Sequence, residues 1–194
     1  MSKFDEFVAH FEPIYGEKDA RWQCLKHMAK SLFDAEAPIH IVETGSMRKV
    51  GNWNGDGNMT MVWDWIARET GGTAISIDLD PEASACVQAN CPNTTTVTGD
   101  SVTALRSLVF PNPIDVLFLD SYDYTAGHEI DAAMHQLAEL SSIWEKLPDG
   151  CLIASDDCKA DNQGKHVFTK KILDGLGMQQ WVTGYICVWQ KRKV

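Results

Sequence analysis

The sequence predicts an α/β fold: a doubly wound, mainly parallel seven-stranded sheet with an antiparallel last strand, and an N-terminal helical cap. Seven short apolar runs recur along the chain, and helical patterns separate most of them. Strands that alternate with helices require right-handed crossovers, which build a parallel sheet. The last two runs meet at Thr183 and Gly184, which is close enough for a hairpin and therefore for one antiparallel strand.

The first 35 residues are predicted to be helical. Apolar residues stand at helical spacing, and we expect Pro13 and Gly16 to break the segment in two; the apolar positions are Phe4, Phe7, Val8, Phe11, Trp22, Leu25, Met28, Ala29 and Leu32. Residues 1–35 then form the cap and residues 36–194 a cofactor-binding core, so that 1–194 is one domain.

The remaining elements follow in order along the chain. The predicted strands are IHIVETG, TAISIDLD, TTTVTGD, IDVLFLDSY, GCLIASDD, QQWVTG and YICVWQKR. The predicted helices are MTMVWDWIARETG, PEASACVQANC, SVTALRSLV, HEIDAAMHQLAELSSIWEKL and HVFTKKILDGLG.

Composition narrows the classes of partner. A net charge of -10 argues against nucleic acid, because nucleic-acid binding depends on basic residues that displace counterions. No apolar stretch approaches the roughly 18 residues that a membrane span needs, and the N-terminus lacks a secretion signal, so we expect a soluble, cytoplasmic protein. The six cysteines have no C-x-x-C spacing, which predicts reduced thiols and no zinc site.

Acidic residues follow nearly every predicted strand. Ligands of an open parallel sheet bind beyond the carboxyl ends of its strands, so these residues are the first candidates for a site. They are Glu43, Thr44 and Gly45; Asp78 and Asp80; Gly99, Asp100 and Ser101; Asp120; and Asp156 with Asp157. Five acidic ends on one edge repel each other unless they serve hydroxyl-rich or cationic ligands.

Two features suggest a cofactor that contains adenosine. Asp78, at the end of the second strand, is suited to bind both hydroxyls of a ribose. The loop ETGSMRKVGNWNGDGNMT is rich in glycine, which permits close approach of the backbone to a ligand, although it matches neither G-x-G-x-x-G nor a phosphate-binding loop. Gly55, Gly57 and Trp53 of this loop are candidate cofactor contacts, whereas Trp63 and Trp65 are expected to pack inside a helix.

From about Ile39 to Arg192 the chain resembles the class I S-adenosylmethionine-dependent methyltransferases, and more narrowly the metal-dependent O-methyltransferases of the catechol and macrocin types. The matching stretches are VETG, IDLDP, GDS, LFLDSYDY and LIASDD, together with the terminal strand pair. The resemblance implies a Rossmann-like fold, S-adenosylmethionine as methyl donor and a hard divalent cation such as Mg²⁺.

Carried over onto this sequence, the resemblance gives each residue a role. Glu43 and Gly45 would line the methionine and ribose part of the cofactor, Asp78 the ribose hydroxyls, and Asp100 with Ser101 the adenine. The metal ligands would be Asp120, Asp156 and Asp157. In the catechol branch a lysine follows the fourth-strand aspartate by three positions, where this chain has Asp123.

The general base stays open among three residues: Asp120, Asp123 and His128. Of the other histidines, His135 is expected in a core or surface position, and His166 is a weaker candidate for substrate contact.

The leading hypothesis is a Mg²⁺-dependent O-methyltransferase that acts on a hydroxyl of a small molecule, a sugar or a phenolic natural product. The alternatives are a metal-independent methyltransferase on the same fold, an NAD- or nucleotide-binding Rossmann-like protein, and a catalytically silent binding protein. A homo-oligomer is possible, because the apolar N-terminal helices can cover either the site or a second subunit.

Overall fold

The computed structural model describes residues 1–53, 55, 58–159 and 163–193. Its helices, in chain order, are α1 (Lys3–Tyr15), α2 (Ala20–Asp34), α3 (Met59–Thr70), α4 (Pro81–Asn90), α5 (Ser101–Ser107), α6 (Glu129–Ile143) and α7 (Val167–Gly175), with a 3₁₀ turn at Trp144–Lys146. Its strands are β1 (His40–Thr44), β2 (Thr73–Asp78), β3 (Thr94–Thr98), β4 (Val116–Leu119), β5 (Leu152–Ser155), β6 (Cys158–Lys159), β7 (Gln163–Gly164), β8 (Gln179–Val182) and β9 (Cys187–Gln190).

Seven strands form one sheet in the order β3-β2-β1-β4-β5-β9-β8. The pairs among β1 to β5 are parallel, and β9 runs antiparallel to both β5 and β8. The strand order reverses between β1 and β4, which is where an open α/β sheet binds its ligand. The predicted fold class is confirmed, including the antiparallel last strand.

Alternate residues of the central strands enter two cores. Ile41, Phe118 and Ala154 face the layer that contains α1, α2 and α3, whereas Val42 and Leu117 face the layer with α5, α6 and α7. This period of two, together with burial on both faces, explains why the strands are continuous apolar runs.

The N-terminal helices form part of the first core. Phe7, Phe11 and Trp22 are at most 2% exposed and pack with the sheet residues of that layer. The helix α1 continues through Pro13 and ends only at Gly16, whose φ is +94°. The expected break at Pro13 is therefore wrong, and the glycine alone ends the helix.

The structure also contains a small antiparallel ribbon, β6 with β7, that the sequence did not predict. It follows β5 directly and leads into α7, so it carries the residues after Asp157 to the site edge of the sheet. No helix within the described residues is both long and apolar enough to cross a membrane.

Candidate functional site

A cavity of about 340 Å³ opens at the carboxyl ends of the parallel strands. Strand-end residues on both sides of the β1–β4 reversal line it, among them Glu43, Gly45, Asp78, Asp100, Ser101 and Asp120. Gly55, Asp123 and Asp157 line it as well. Most of the predicted site residues therefore meet at one place, as the position of ligand sites in such sheets requires.

Glu43 lies at the inner wall of the cavity. Its side chain is buried, and the hydroxyls of Thr60 and Ser76 each donate a hydrogen bond to Oε2 at 2.7 Å. Burial raises the pKa of Glu43 to about 8, because the two hydrogen bonds only partly offset the loss of water around the charge. The carboxyl group is therefore largely protonated near neutral pH.

The turn after β1 is held tightly. Gly45 has a φ of +81°, and its N–H donates to the carbonyl of Ile77 at 2.8 Å. A β-carbon at this position would lie 2.6 Å from the carbonyl oxygen of Asp120, so only glycine fits here. The carboxylate of Asp78 then accepts the N–H groups of Ser46 at 2.7 Å and Asp80 at 2.8 Å, which fixes its orientation at the cavity wall.

Asp100 and Ser101 begin helix α5. Asp100 caps the helix by accepting the N–H of Thr103, and its pKa is lowered by that contact. The Ser101 hydroxyl lies 3.0 Å from Nε2 of His135. His135 lines the cavity, which the sequence did not predict, and a hydrogen bond to Glu139 raises its pKa.

Two basic side chains meet the acids at the ends of β4 and β5. The ammonium group of Lys165 lies 2.8 Å from Asp120 Oδ1 and 3.0 Å from Asp157 Oδ2, and Lys165 is 2% exposed. Arg21, from helix α2, donates to Asp156 Oδ2 at 2.9 Å. The three carboxylates that the resemblance assigns to a metal are thus paired with two cations of the chain itself.

The ionisation of this cluster follows from burial and pairing. Burial raises the pKa of Asp120, against the opposing charge of Lys165. Burial also raises the pKa of Asp156 well above its usual range, and the charge of Asp120 adds to that effect. For Asp157, the charge of Lys165 and the hydrogen bond from Tyr185 outweigh burial, and the pKa is lowered. Burial alone would lower the pKa of Lys165, but Asp120 and Asp157 raise it, so Lys165 is protonated.

As arranged, these residues do not fit a divalent cation. A hard ion shared by Asp120 and Asp157 would need the position between them that the Lys165 ammonium holds. Asp156 is fully buried and paired with Arg21, and it is absent from the described residues that line the cavity. Its Oδ1 has no hydrogen-bond partner among the described residues, but a single oxygen is too few for a site of this kind.

Several predicted residues lie elsewhere. The Thr44 side chain is fully buried in the sheet, and Trp53 packs on Phe11 and Tyr15 of the cap rather than on the cavity. His128 is exposed at the start of α6, where it contacts Asp131, so it is not placed to act as a base in the cavity. Gly57 is outside the described residues.

Asp123 is at the cavity mouth, with its side chain 66% exposed and paired with Arg48. The two most important residues that sequence reasoning missed are Arg21 and Lys165. Arg21 stands in a helix whose apolar pattern predicts a packing cap, and Lys165 stands near Lys170 and Lys171 in a stretch with the composition of solvated surface. No spacing rule connects either residue to the strand ends.

Comparison with known proteins agrees with this geometry. Residues 50–158, more than half of the chain, match the family model described as "Methyltransferase domain". The chain belongs to this methyltransferase family. No curated protein sequence matches the chain.

Solved structures of methyltransferases share the fold. MycE from the mycinamycin biosynthetic pathway, solved with Mg, SAH and mycinamycin VI, aligns with a TM-score of 0.60 at 12% identity, over 98% of this chain and 55% of MycE. CalS11, a TDP-rhamnose 3'-O-methyltransferase of calicheamicin biosynthesis, gives 0.56 at 14% identity over 97% and 87%. A TehB-like SAM-dependent methyltransferase from Corynebacterium glutamicum gives 0.53 at 13% identity over 97% and 98%. At these identities the likeness shows the shared fold.

Proposed function

We propose that this methyltransferase transfers the methyl group of S-adenosylmethionine to a hydroxyl group of a small molecule such as a sugar or a phenol. The supporting observation is that one cavity joins two chemically different halves. Strand-end acids suited to an adenosine line one half, and the Asp120–Lys165–Asp157 cluster lines the other. O-methyltransferases of small molecules among the fold relatives, CalS11 above all, agree with this acceptor class.

The donor half fits S-adenosylmethionine by the chemistry of its side chains. Asp78 uses each carboxylate oxygen for one backbone N–H, which leaves lone pairs free for ribose hydroxyls. Asp100 and Ser101 stand beyond β3, where the adenine would lie, and Glu43 with Gly45 borders the methionine end. When bound, the cofactor supplies an electrophilic methyl group on a positively charged sulfur.

The acceptor half can hold a hydroxyl and remove its proton. Asp120 lines the cavity and is the best placed of the three candidate bases, because Asp123 is largely exposed and His128 lies outside the cavity. In the proposed reaction the acceptor O–H bond breaks and its proton passes to Asp120. The oxygen forms a bond to the methyl carbon while the carbon–sulfur bond breaks, leaving S-adenosylhomocysteine. The protonated Lys165 stabilises negative charge that develops on the oxygen.

Binding and transfer assays test this function directly. Isothermal titration calorimetry should show S-adenosylmethionine bound by the chain and NAD not bound. A screen of sugars and phenols with methyl-labelled donor should then give a labelled O-methyl product. Binding of NAD without binding of the methyl donor would instead favour the nucleotide-binding alternative.

For the metal, the geometry favours the metal-independent alternative over the Mg²⁺-dependent one. Lys165 supplies, from within the chain, the positive charge that a shared cation would bring to Asp120 and Asp157. We therefore expect the rate of methyl transfer in Mg²⁺-free buffer, with the absence of Mg²⁺ verified by elemental analysis, to equal the rate after Mg²⁺ is added. Loss of activity that only Mg²⁺ restores would contradict this proposal.

Substitution of Lys165 gives a second test of the metal-independent proposal. Lys165→Ala should lower the turnover number by about 100-fold, as removal of one charge-stabilising group does elsewhere. It should also gain measurable Mg²⁺ binding by calorimetry, because it leaves two facing carboxylates without their cation. Lys171→Ala, which removes an exposed lysine of the same helix region, is the matched control and should change neither property.

A further inference from the structure

Three side chains that can bind a metal through sulfur or nitrogen lie close together, and two of them adjoin members of the Asp120–Lys165–Asp157 cluster in the sequence. They are Cys158 at the start of β6, His166 immediately before α7 and Cys187 at the start of β9. One ligand atom from each lies within 4.8 Å of the other two, and the three residues are at most 4% exposed. All three come from different elements, so the grouping is created by the fold rather than by a local sequence motif.

The histidine gives independent support for a ligand. Nδ1 of His166 is buried and has no hydrogen-bond partner among the described residues. A buried polar nitrogen without a partner is energetically unfavourable, so such atoms are rare unless something binds them.

The two thiols are suitable partners for the same ion. Both cysteines are free. Their sulfur atoms lie close to each other and to a ring nitrogen of His166, and a thiol that binds the ion releases its proton on coordination. The Cys158 thiol also lies 3.2 Å from the carbonyl oxygen of Ser155, and this contact would be given up on coordination.

We propose that Cys158, His166 and Cys187 bind one thiophilic metal ion, with Zn²⁺ as the ion that two sulfurs and one nitrogen suit best. Ligand atoms around a tetrahedral zinc ion lie about 3.5–3.8 Å apart, so the three side chains need only a modest contraction. Three protein ligands leave a fourth position for water or another donor. This proposal does not depend on the proposed acceptor chemistry.

The site would position the acid cluster without touching the substrate. Cys158 follows Asp157 and His166 follows Lys165 in the sequence, so an ion held by these residues would tie together the two backbone segments that carry that ion pair. This proposal departs from the expectation of no zinc site, which rested on the absence of C-x-x-C spacing, because ligands at positions 158, 166 and 187 have no recognisable sequence signature.

Cobalt substitution tests the proposal on the full chain. We expect Co²⁺ to bind at one ion per chain, with a thiolate-to-cobalt charge-transfer band and the intense visible bands of tetrahedral cobalt, and Zn²⁺ to displace it. Cys158→Ser and Cys187→Ser should each weaken Co²⁺ binding by at least about tenfold. Cys151→Ser, which removes an equally buried thiol outside the group, should bind as the unaltered chain does.

Two results would overturn the proposal. One is the absence of a charge-transfer band in the unaltered chain, in a sample that a thiol assay shows to have all six cysteines reduced. The other is a band that persists in both serine variants of the group. Because the readout is spectroscopic, it is separate from methyl transfer and holds whether or not the acceptor is known.

Discussion

Glu43 shows how one buried residue makes stability depend on pH. Its pKa is raised to about 8 in the folded chain, against an ordinary value of 4.5. The proton on Glu43 stabilises the folded chain fully at pH values below the pKa of Glu43 in the unfolded chain. This stabilisation is lost as the pH rises through the pKa of Glu43 in the folded chain. The free energy of unfolding should therefore fall between about pH 5 and pH 8 by an amount on the order of 4 kcal/mol from this group.

Glu43→Gln should remove that part of the pH dependence, because the amide cannot ionise. Urea unfolding at several pH values across this window measures the effect. Glu36→Gln changes an exposed acid and should leave the pH profile unchanged. Equal pH profiles for Glu43→Gln and the unaltered chain would show that Glu43 is not the titrating group.

Individual residues of the site were predictable where a strand end fixed them. Asp78, Asp100 and Asp120 each follow an apolar run, and the edge of a parallel sheet gathers such positions. Arg21 and Lys165 were not predictable, because Asp156 lies 135 residues from Arg21 and Asp120 lies 45 residues from Lys165, and both pairings depend on how α2 and the β6–β7 ribbon pack.

The turn after β1 is the element on which the cofactor wall depends. Gly45→Ala should destabilise the chain by about 2 kcal/mol or more, since it adds a contact with the Asp120 backbone to the cost of a positive φ. Gly51→Ala is the matched control, because Gly51 has a φ of +82° and nothing within 4 Å of an added β-carbon. Chemical denaturation of both variants measures the difference. Equal losses would mean that the close approach to Asp120 is relieved at no cost.

Most elements could be read from the sequence because their lengths and periods differ. The strands β1, β4, β5 and β9 are largely buried runs, and the helices carry apolar residues at helical spacing. The β6–β7 ribbon was missed, since two strands of two residues each give no periodic signal. The predicted break of α1 at Pro13 was wrong. The helix continues through Pro13 because packing of its buried residues Phe7 and Phe11 stabilises it.

For the whole molecule, the Arg21–Asp156 pair joins the N-terminal layer to the site edge of the sheet. Arg21→Met should destabilise the chain by about 3–5 kcal/mol, because it leaves the buried Asp156 carboxylate unpaired. The double variant Arg21→Met with Asp156→Asn should recover much of that loss, as it removes both charges. Thermal and urea unfolding provide the measurement.

Arg68→Met removes an exposed arginine that pairs with Glu69, and it should cost less than about 1 kcal/mol. If Arg21→Met were as mild as this control, the buried pair would not link the two layers. The global arrangement was predictable from the alternation of strands and helices. The contact of α2 with the site was not predictable. The sequence pattern shows which face of a helix is apolar, but it does not show which residues its polar side chains contact.

The position of β9 has a consequence for synthesis of the chain on the ribosome. In the sheet β9 lies between β5 and β8, although it follows β8 in the sequence. The first five strands can pair as they emerge. The strand β8 cannot join the sheet until β9 has been synthesised, because β9 lies between β5 and β8. Until then β5 is an exposed edge, open to strands of neighbouring nascent chains. A ribosome that stalls between β8 and β9 would therefore leave a product prone to aggregate.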